Sequence, residues 1–513
     1  MPKNRTGSFG FLHVFCRRSW KCFALPTFSV LLALVPCWAE GSPESSTTDP
    51  PAVTLASSRI PADHLRQYSD LAVDWMQQYL QIDTTNPPGN EMRAVTFLKV
   101  ILDREGIENR VFEYAPGRGD LWARLPHSPT GTAADAGHAI VRRPIILLNH
   151  MDVVTSDASH WQVPPFSGEI KNGYVWGRGA QDMKDEGMAQ LVAMVMLKRE
   201  RVALDRDVIF LAVADEEMNG SGSDWFIEHE RDLLENAEFL INEGGENLLE
   251  NSHVKYVGVD VGEKTVYWLH VVAHGRAGHA SRPIPDSAPN RLVRALDRII
   301  AYKTPLRVLP VVQEFLLGMA PYEPAERARQ FRNIQTAIDD KKFQEEVEHD
   351  ESLNYLLRDT ISLTMMGASE QTNVIPAEAW ANLDVRILPG GDRQALLEAI
   401  RKAVDDPNVT VEPLSSEFRV ANYSTTDTVL FAVIRQVSAH YFPGTPVVPL
   451  ITSGYTENQR YRPLGIHAYG FNPYVATDEE GNTEHGNDER IRVDEVRRGP
   501  RVLFDVLALV AGR

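Results

Sequence analysis

The stretch Val208-Ile-Phe-Leu-Ala-Val-Ala-Asp-Glu-Glu217 places an unbroken apolar run directly before three acidic residues. Such a run is typical of a strand that is buried on both faces of a parallel sheet. Two similar runs, Ile145-Ile-Leu-Leu-Asn-His150 and Phe239-Leu-Ile-Asn-Glu243, also end in side chains that can bind a metal. Helical patterns lie between the runs, so the sequence predicts an α/β fold with a mostly parallel sheet.

The ends of these strands predict one common site. Ligands of open α/β sheets bind outside the carboxyl ends of the strands, so we expect the terminal side chains to face one crevice. These side chains are His150, Glu216, Glu217 and Glu243. A further acid, Asp182, stands before a predicted helix, where Asp is also a common N-cap. Because three strand ends point to the same place, we interpret Asp182 as a metal ligand.

The composition and the N-terminus limit the classes of partner. The chain has 513 residues and a formal net charge of −18, and such an acidic surface is repelled by nucleic-acid phosphates. Basic residues around Arg17, an apolar run ending at Val35 and small residues at Cys37 and Ala39, before Glu40, have the layout of a signal peptide. An uncleaved anchor is the alternative, although the run is short for a membrane span. We expect an exported protein, periplasmic or secreted, without a membrane span after cleavage.

All three cysteines lie in this leader, so any metal site of the mature chain must use histidines and carboxylates. Residues 40–60 are rich in Ser, Thr, Pro and Glu, and the pattern changes near Glu263 to alternating, β-rich sequence. Residues 305–360 are charged and are expected to form surface helices. The predicted organisation is a signal peptide at 1–39, a flexible spacer at 40–60, a catalytic domain at 61–263 and 416–513, and an inserted α+β sandwich domain at 264–415.

Seven short motifs occur in one order along the chain. They are His150-Met-Asp152, Gly177-Arg-Gly-Ala-Gln-Asp-Met-Lys184, Asp215-Glu-Glu217, Asn242-Glu-Gly-Gly245, Gly278-His-Ala-Ser281, Thr372-Asn-Val-Ile-Pro376 and His485-Gly486. Together they resemble the dizinc aminoacylases and carboxypeptidases, including carboxypeptidase S, the aminoacylases, bacterial glutamate carboxypeptidase and succinyl-diaminopimelate desuccinylase. The carboxypeptidase S branch looks most similar. The resemblance implies a hydrolase that cleaves an amide or peptide bond next to an amino acid.

The resemblance implies a site with two zinc ions, for which Co²⁺ or Mn²⁺ can substitute. His150, Asp182 and Glu243 would hold one ion. Asp182, Glu217 and His485 would hold the other, although His485 taken alone would be read as a surface residue. Three carboxylates and one hydroxide balance the charge of two zinc ions, which a recessed site requires.

The resemblance also implies roles around the metals. Asp152 would orient the first histidine ligand, and Glu216 would be the general base for attack by a zinc-bound hydroxide. The inserted domain would act as a lid or form a homodimer, and its His279 would stabilise the tetrahedral oxyanion of the reaction. Asn373 would be a second polarising group, and Arg386 would receive a substrate carboxylate. The alternatives are a surface histidine, a turn asparagine and a strand-edge arginine.

Two positions depart from the family pattern. An amide, Asn242, stands where most relatives carry an acid. Relatives also carry Gly-Gly-Thr-Asp-Ser/Ala-Arg where this chain has Ser453-Gly-Tyr-Thr-Glu-Asn-Gln459, so Tyr455 replaces a glycine, Glu457 an aspartate and Gln459 the arginine. Substrate preference is therefore open between a peptide and an N-acyl amino acid. A catalytically silent binding protein is the alternative to a hydrolase, but the base and all five presumed ligands are present.

Overall fold

The structure is a computed structural model that describes residues 54–128, 142–234, 236–415 and 419–513. The predicted signal peptide, most of the predicted spacer and all three cysteines lie outside these residues. The described strands are β1 (Glu108–Ala115), β2 (Arg118–Leu125), β3 (Ile145–His150), β4 (Ile170–Lys171), β5 (Tyr174–Trp176), β6 (Val208–Val213), β7 (Phe239–Asn242), β8 (Glu246–Glu250), β9 (His253–Glu263), β10 (Thr265–Val266), β11 (Leu269–His274), β12 (Gly278–His279), β13 (Thr360–Gly367), β14 (Val374–Ile375), β15 (Glu378–Ile387), β16 (Val409–Pro413), β17 (Val447–Thr452), β18 (His467–Gly470) and β19 (Arg490–Arg492).

Helices alternate with these strands, as the sequence predicts. The described α-helices are α1 (Ala62–Leu80), α2 (Met92–Glu105), α3 (Lys184–Arg199), α4 (Ser221–His229), α5 (Ala288–Ala301), α6 (Pro310–Met319), α7 (Ala325–Arg332), α8 (Ile334–Ala337), α9 (Lys341–His349), α10 (Glu351–Leu357), α11 (Arg393–Val404), α12 (Val429–Tyr441), α13 (Asn458–Tyr461), α14 (Asp478–Gly481) and α15 (Val493–Ala511). In the described part of the chain, none of the helices is both long and apolar enough to cross a membrane.

The larger sheet is parallel at its centre. Among the described residues it has nine strands in the order β1-β2-β6-β3-β7-β18-β9-β17, with β8 paired to β9. Strands β6, β3, β7 and β18 run parallel to one another, and β17 runs parallel to β9. Antiparallel pairs join β1 to β2, β2 to β6 and β18 to β9. The three parallel strands that the sequence predicts, β6, β3 and β7, are therefore direct neighbours.

Both faces of this sheet are covered. Ile145 and Leu147 of β3 pack into a cluster with buried residues of α1, α2, α3 and α15. The intervening Ile146 and Leu148 pack into a second cluster with Phe226 of α4 on the opposite face. Side chains alternate between the two faces of a strand, so the continuous apolar run is explained by burial on both sides.

A second, smaller sheet lies between residues 265 and 413. It has the order β10-β15-β11-β16, and β13 pairs with β15. Helices α5 and α11 cover one face and bury alternate residues of β11 and β15 in a separate hydrophobic cluster. The fold class, a largely parallel α/β sheet with an additional α+β unit, is confirmed. The domain boundaries at 264 and 415 stay a prediction.

The charged segment at 305–360 is helical, and its apolar residues are buried. Val312 and Leu316 of α6 and Phe331 of α7 belong to the hydrophobic cluster of the larger sheet. Gly318 in α6 lies so close to β17 that a Cβ there would be 2.6 Å from Val448 Cγ1. These helices therefore extend the core of the larger sheet, whereas the sequence suggested a surface location.

Candidate metal centre and cleft

Three neighbouring strands end at the same place. His150 is the last residue of β3, Glu243 directly follows β7, and Asp215-Glu-Glu217 lies just beyond the end of β6. Because β6, β3 and β7 are adjacent and parallel, their carboxyl ends meet at one edge of the sheet. The sheet itself thus brings these side chains together.

Asp182 lies between two groups of ligand atoms. Its Oδ1 is 2.9 Å from His150 Nε2, and its Oδ2 is 2.7 Å from His485 Nε2. His150 Nε2 is also 3.1 Å from Glu243 Oε2, and His485 Nε2 is 3.3 Å from Glu217 Oε2. Within each group of three residues the ligand atoms lie within 4.8 Å of one another. Because its two oxygens face different groups, Asp182 belongs to both of them.

This set of donors fits two divalent cations. Burial raises the pKa of Glu243 to about 7, in spite of His150 beside it. Hydrogen bonds to Asp182 and Glu217 raise the pKa of His485 to about 10. One oxygen each of Glu217 and Glu243 is buried without a hydrogen-bond partner among the described residues. The raised pKa values and the unpaired carboxylate oxygens indicate a cluster that bound cations would stabilise, and nitrogen and oxygen donors are ligands that zinc accepts.

A buried ion pair joins the loops that carry Asp182 and His485. Glu489 pairs with Arg178, and both side chains are almost fully buried. The Glu489 carboxylate accepts two backbone N–H groups of the loop before Asp182, at 2.8 and 3.1 Å. Arg178 Nη2 donates at 2.7 Å to the carbonyl oxygen of the residue after His485. The pair therefore fixes two ligands that are about 300 residues apart in sequence.

Asp152 contacts both His150 and the turn after β6. His150 Nδ1 is 3.1 Å from the backbone oxygen of Asp152 and 3.6 Å from its carboxylate. With Nδ1 as the donor, Nε2 is left free to face the other ligands. The Asp152 carboxylate accepts the backbone N–H groups of Glu216 and Glu217, both at 3.1 Å. The main contact with His150 thus comes from the backbone, and the carboxylate positions the turn.

Glu216 faces a cleft large enough for a small-molecule substrate. Glu216, Glu217 and His485 line a cavity of about 640 Å³. Burial, followed by the charge of Glu243, raises the pKa of Glu216 well above its usual value. Five apolar or aromatic side chains, here called the apolar wall, also line the cleft: Met218, Val266, Tyr267, Trp268 and Tyr455. Three arginines line it as well, namely Arg386, Arg419 and Arg460. In the described residues, Glu216 belongs to neither ligand group, so its carboxylate is available for proton transfer.

The sequence profile of Peptidase family M20/M25/M40 matches residues 146–509 of the chain. This chain belongs to that family. It is a metal-dependent hydrolase of the carboxypeptidase and aminoacylase type. The family resemblance predicted from the seven motifs is confirmed.

Relatives and a solved structure agree with this assignment. "Probable carboxypeptidase S-like 2" of Dictyostelium discoideum is 27% identical over 68% of this chain and 68% of its own length. The N-fatty-acyl-amino acid synthase/hydrolase PM20D1 of Homo sapiens is 27% identical over 71% of this chain and 74% of its own length. An M20 family metallo-carboxypeptidase of Sulfolobus solfataricus has the same fold, with a TM-score of 0.62, 18% identity, and coverage of 85% of this chain and 98% of that chain.

The second sheet of this M20 member brings one predicted residue to the cleft. Arg386 of β15 lines it and pairs with Asp384 through two hydrogen bonds of 2.7 and 3.1 Å. His279 and Asn373 are not among the described residues that line the cleft. They lie together where β12 pairs with β14, and His279 Nδ1 is 2.8 Å from Ser281 Oγ on an exposed surface. Their roles at the metal centre stay predictions.

The stretch that departs from the family pattern does lie at the cleft. Tyr455 and Gln459 line it, and Gln459 Nε2 donates at 3.1 Å to the backbone oxygen of Lys264, at the junction of the two sheets. Glu457 is fully buried, and neither of its carboxylate oxygens has a hydrogen-bond partner among the described residues. Burial raises the pKa of Glu457 well above its usual value. This stretch therefore forms part of the substrate wall.

Two residues that position the site were not predicted. Asn86 Nδ2 donates at 2.8 Å to Asp152 and at 2.8 Å to Asp215, so one amide braces two elements of the site. Its signal in sequence was only a polar residue in the Pro-Gly loop Asp83–Asn90. Glu489, which pairs with Arg178, lies close to the His485 motif, but nothing in the sequence indicated its partner.

Proposed function

We propose that this protein hydrolyses the amide bond of N-acyl amino acids and that its native metals are two zinc ions. One observation carries the proposal: the two carboxylate oxygens of Asp182 face two different groups of candidate ligands, and Glu216 belongs to neither group among the described residues. The cleft adds an apolar wall, in which Trp268 and Met218 are 53% and 56% exposed. Such a wall favours a substrate with a bulky apolar acyl group.

The chemistry would be shared between the metals and the chain. When bound, the ions would polarise the scissile carbonyl and acidify a water molecule so that it is a nucleophile near neutral pH. Glu216 would accept the proton of the attacking water and return it to the leaving nitrogen as the C–N bond breaks. Asp152 would hold the backbone of Glu216 in place, and Arg386 would receive the substrate carboxylate.

We also propose that the protein is exported, on the basis of its leader sequence, and that it forms a homodimer through the second sheet. His279 and Asn373 are not among the described residues that line the cleft, so they can act there only if the β12–β14 ribbon moves or a partner subunit supplies them. Strand β13 supports self-association, because it is an edge strand whose Met365 and Met366 are 55% and 57% exposed.

A carboxypeptidase is the second candidate function. The relative in Dictyostelium discoideum carries that name, and Arg386 would suit a C-terminal carboxylate as well. The apolar cleft wall favours the N-acyl amino acid, because a dipeptide leaves much of that wall uncovered.

The experiment compares substrates and metals in one preparation. Chelation should abolish hydrolysis, and added zinc should restore it more fully than Co²⁺ or Mn²⁺. The turnover of amino acids with long-chain acyl groups should exceed that of their N-acetyl counterparts and of dipeptides. A preference for dipeptides would favour the carboxypeptidase, and full activity in a metal-free preparation would refute the proposal.

A further inference from the structure

Arg460 contacts the far end of the loop that carries Glu216 and Glu217. It is 6% exposed, and it comes from the stretch after β17 rather than from the strands that supply the ligands. Its Nη2 donates a hydrogen bond to the backbone oxygen of Asn219, and its Nε donates at 2.9 Å to Asp224 Oδ1. The guanidinium thus ties the end of the loop to the start of the following helix α4.

Gly220 leaves the space that this guanidinium occupies. A Cβ at position 220 would lie 2.4–2.7 Å from three guanidinium atoms of Arg460, and the φ of Gly220 is +65°. On another side, the Tyr455 ring centroid is 5.1 Å from Arg460 Cζ. Arg460 Nη1 is buried without a hydrogen-bond partner in the described part of the chain. A buried, unpaired donor is destabilising, and Arg460 also lines the cleft beside Glu216.

The loop is therefore held at two ends. At its start, the Asp152 carboxylate accepts the N–H groups of Glu216 and Glu217. At its end, Arg460 holds Asn219 and packs on Gly220. We infer that Arg460 is a positioning residue for the general base, fixing the loop so that Glu216 faces the substrate while Glu217 faces its ligand group.

This inference rests on the proposed function, and substitutions at position 460 test it separately. Arg460→Ala should lower kcat by about 10–100-fold, the usual effect of losing a group that supports a catalytic residue, with KM changed less than about threefold. Arg460→Lys, which cannot hold Asn219 and Asp224 together, should fall between Arg460→Ala and wild type. Gly220→Ala, which displaces the guanidinium, should reproduce the loss.

Arg206→Ala is the matched control. Arg206 is also buried, pairs with Glu238 at 2.9 Å and packs on the Phe239 ring, and its Nε has no hydrogen-bond partner among the described residues. It precedes β6, however, at the other end of the strand. Its loss should lower Tm about as much as Arg460→Ala and leave kcat within about twofold of wild type.

Glu216→Gln, measured in parallel, separates the possible failures. An inactive Glu216→Gln with a fully active Arg460→Ala would overturn only this inference. Equal losses of kcat in Arg206→Ala and Arg460→Ala would also overturn it, because the effect would then be one of stability. An active Glu216→Gln would instead refute the proposed mechanism.

Discussion

The two sheets position functional residues in different ways. The larger sheet places His150 and Glu243 at the ends of adjacent buried strands, and His150 is only 1% exposed. His279 belongs to neither of these sheets: it lies on the separate two-stranded ribbon of β12 and β14, at an exposed surface, and is not among the described residues that line the cleft. Of the residues predicted to act at the metals from the inserted domain, only Arg386 lines the cleft. It lies in β15 of the second sheet, where β15 pairs with β10.

This difference indicates a division of labour. The ends of buried parallel strands have one arrangement, so the metal ligands on them are preorganised. We expect His279 and Asn373, which do not line the cleft among the described residues, to contact the substrate only in a closed or dimeric state, as a lid does. Substitutions in the larger sheet should therefore change metal content or chemistry directly, whereas substitutions in the second sheet should change turnover and leave the metals in place.

The largest effect is expected within the turn after β6. Glu216→Gln cannot accept a proton and should lower kcat by about 10²–10⁴-fold, while the content of both metals stays at the wild-type level. Glu217→Gln should instead lose part of the metal, because Glu217 is 3.3 Å from His485 in one ligand group. Metal analysis of both variants checks this. Equal metal contents in the two variants would mean that the two roles are assigned wrongly.

The sequence was sufficient for the parts of the fold that depend on local pattern. The helical patterns between the apolar runs predicted helices there, and α3 and α4 lie between β3, β6 and β7 in the structure. The apolar runs predicted the parallel strands because burial on both faces leaves a continuous pattern. The charged residues of α6 to α10 suggested surface helices, although the apolar residues of these helices pack on the core.

The sequence predicted which residues could bind the metals, but it did not predict the contacts that hold those residues in place. Each of the five candidate ligands stands in a recognisable motif, and the five lie close together in the structure. The supporting contacts join distant segments, such as Arg178 with Glu489 or Arg460 with Asn219. Either partner alone resembles an ordinary polar loop residue, so only the three-dimensional arrangement identifies such pairs. The position of His279 could not be predicted from the sequence either, because it depends on where the ribbon of β12 and β14 lies in the fold.

A smaller effect is expected in the ribbon formed by β12 and β14. His279→Ala should lower kcat by about 10²–10³-fold, as the loss of an oxyanion donor does, with both metals retained. Mixing His279→Ala with Glu216→Gln then tests the route by which His279 acts. If a partner subunit supplies His279, a mixed dimer contains one intact site and activity returns. Activity that stays low in a mixture shown to exchange subunits would place His279 in the same chain, and full activity of His279→Ala alone would exclude its role.

The smallest effect is expected at the junction of the sheets. Lys264 links β9 to β10, its side chain is buried, and its Nζ donates to the backbone oxygens of Tyr355 and Arg358 at 3.2 and 2.8 Å. Burial lowers the pKa of Lys264 from 10.5 to about 7. Above pH 7 the unfolded chain therefore binds one more proton than the folded chain, so the free energy of unfolding should rise with pH up to about 10.5.

One such proton contributes at most about 1.4 kcal/mol for each pH unit. The free energy of unfolding, measured by denaturant titration at pH 7, 8 and 9, should rise more steeply in wild type than in Lys264→Met. Below pH 7 the lysine is protonated in both states, so the two slopes should agree there. If the free energies of unfolding of wild type and Lys264→Met changed in parallel from pH 7 to 9, Lys264 would keep its proton in the folded protein. The junction would then hold a charged lysine against the backbone oxygens of Tyr355 and Arg358.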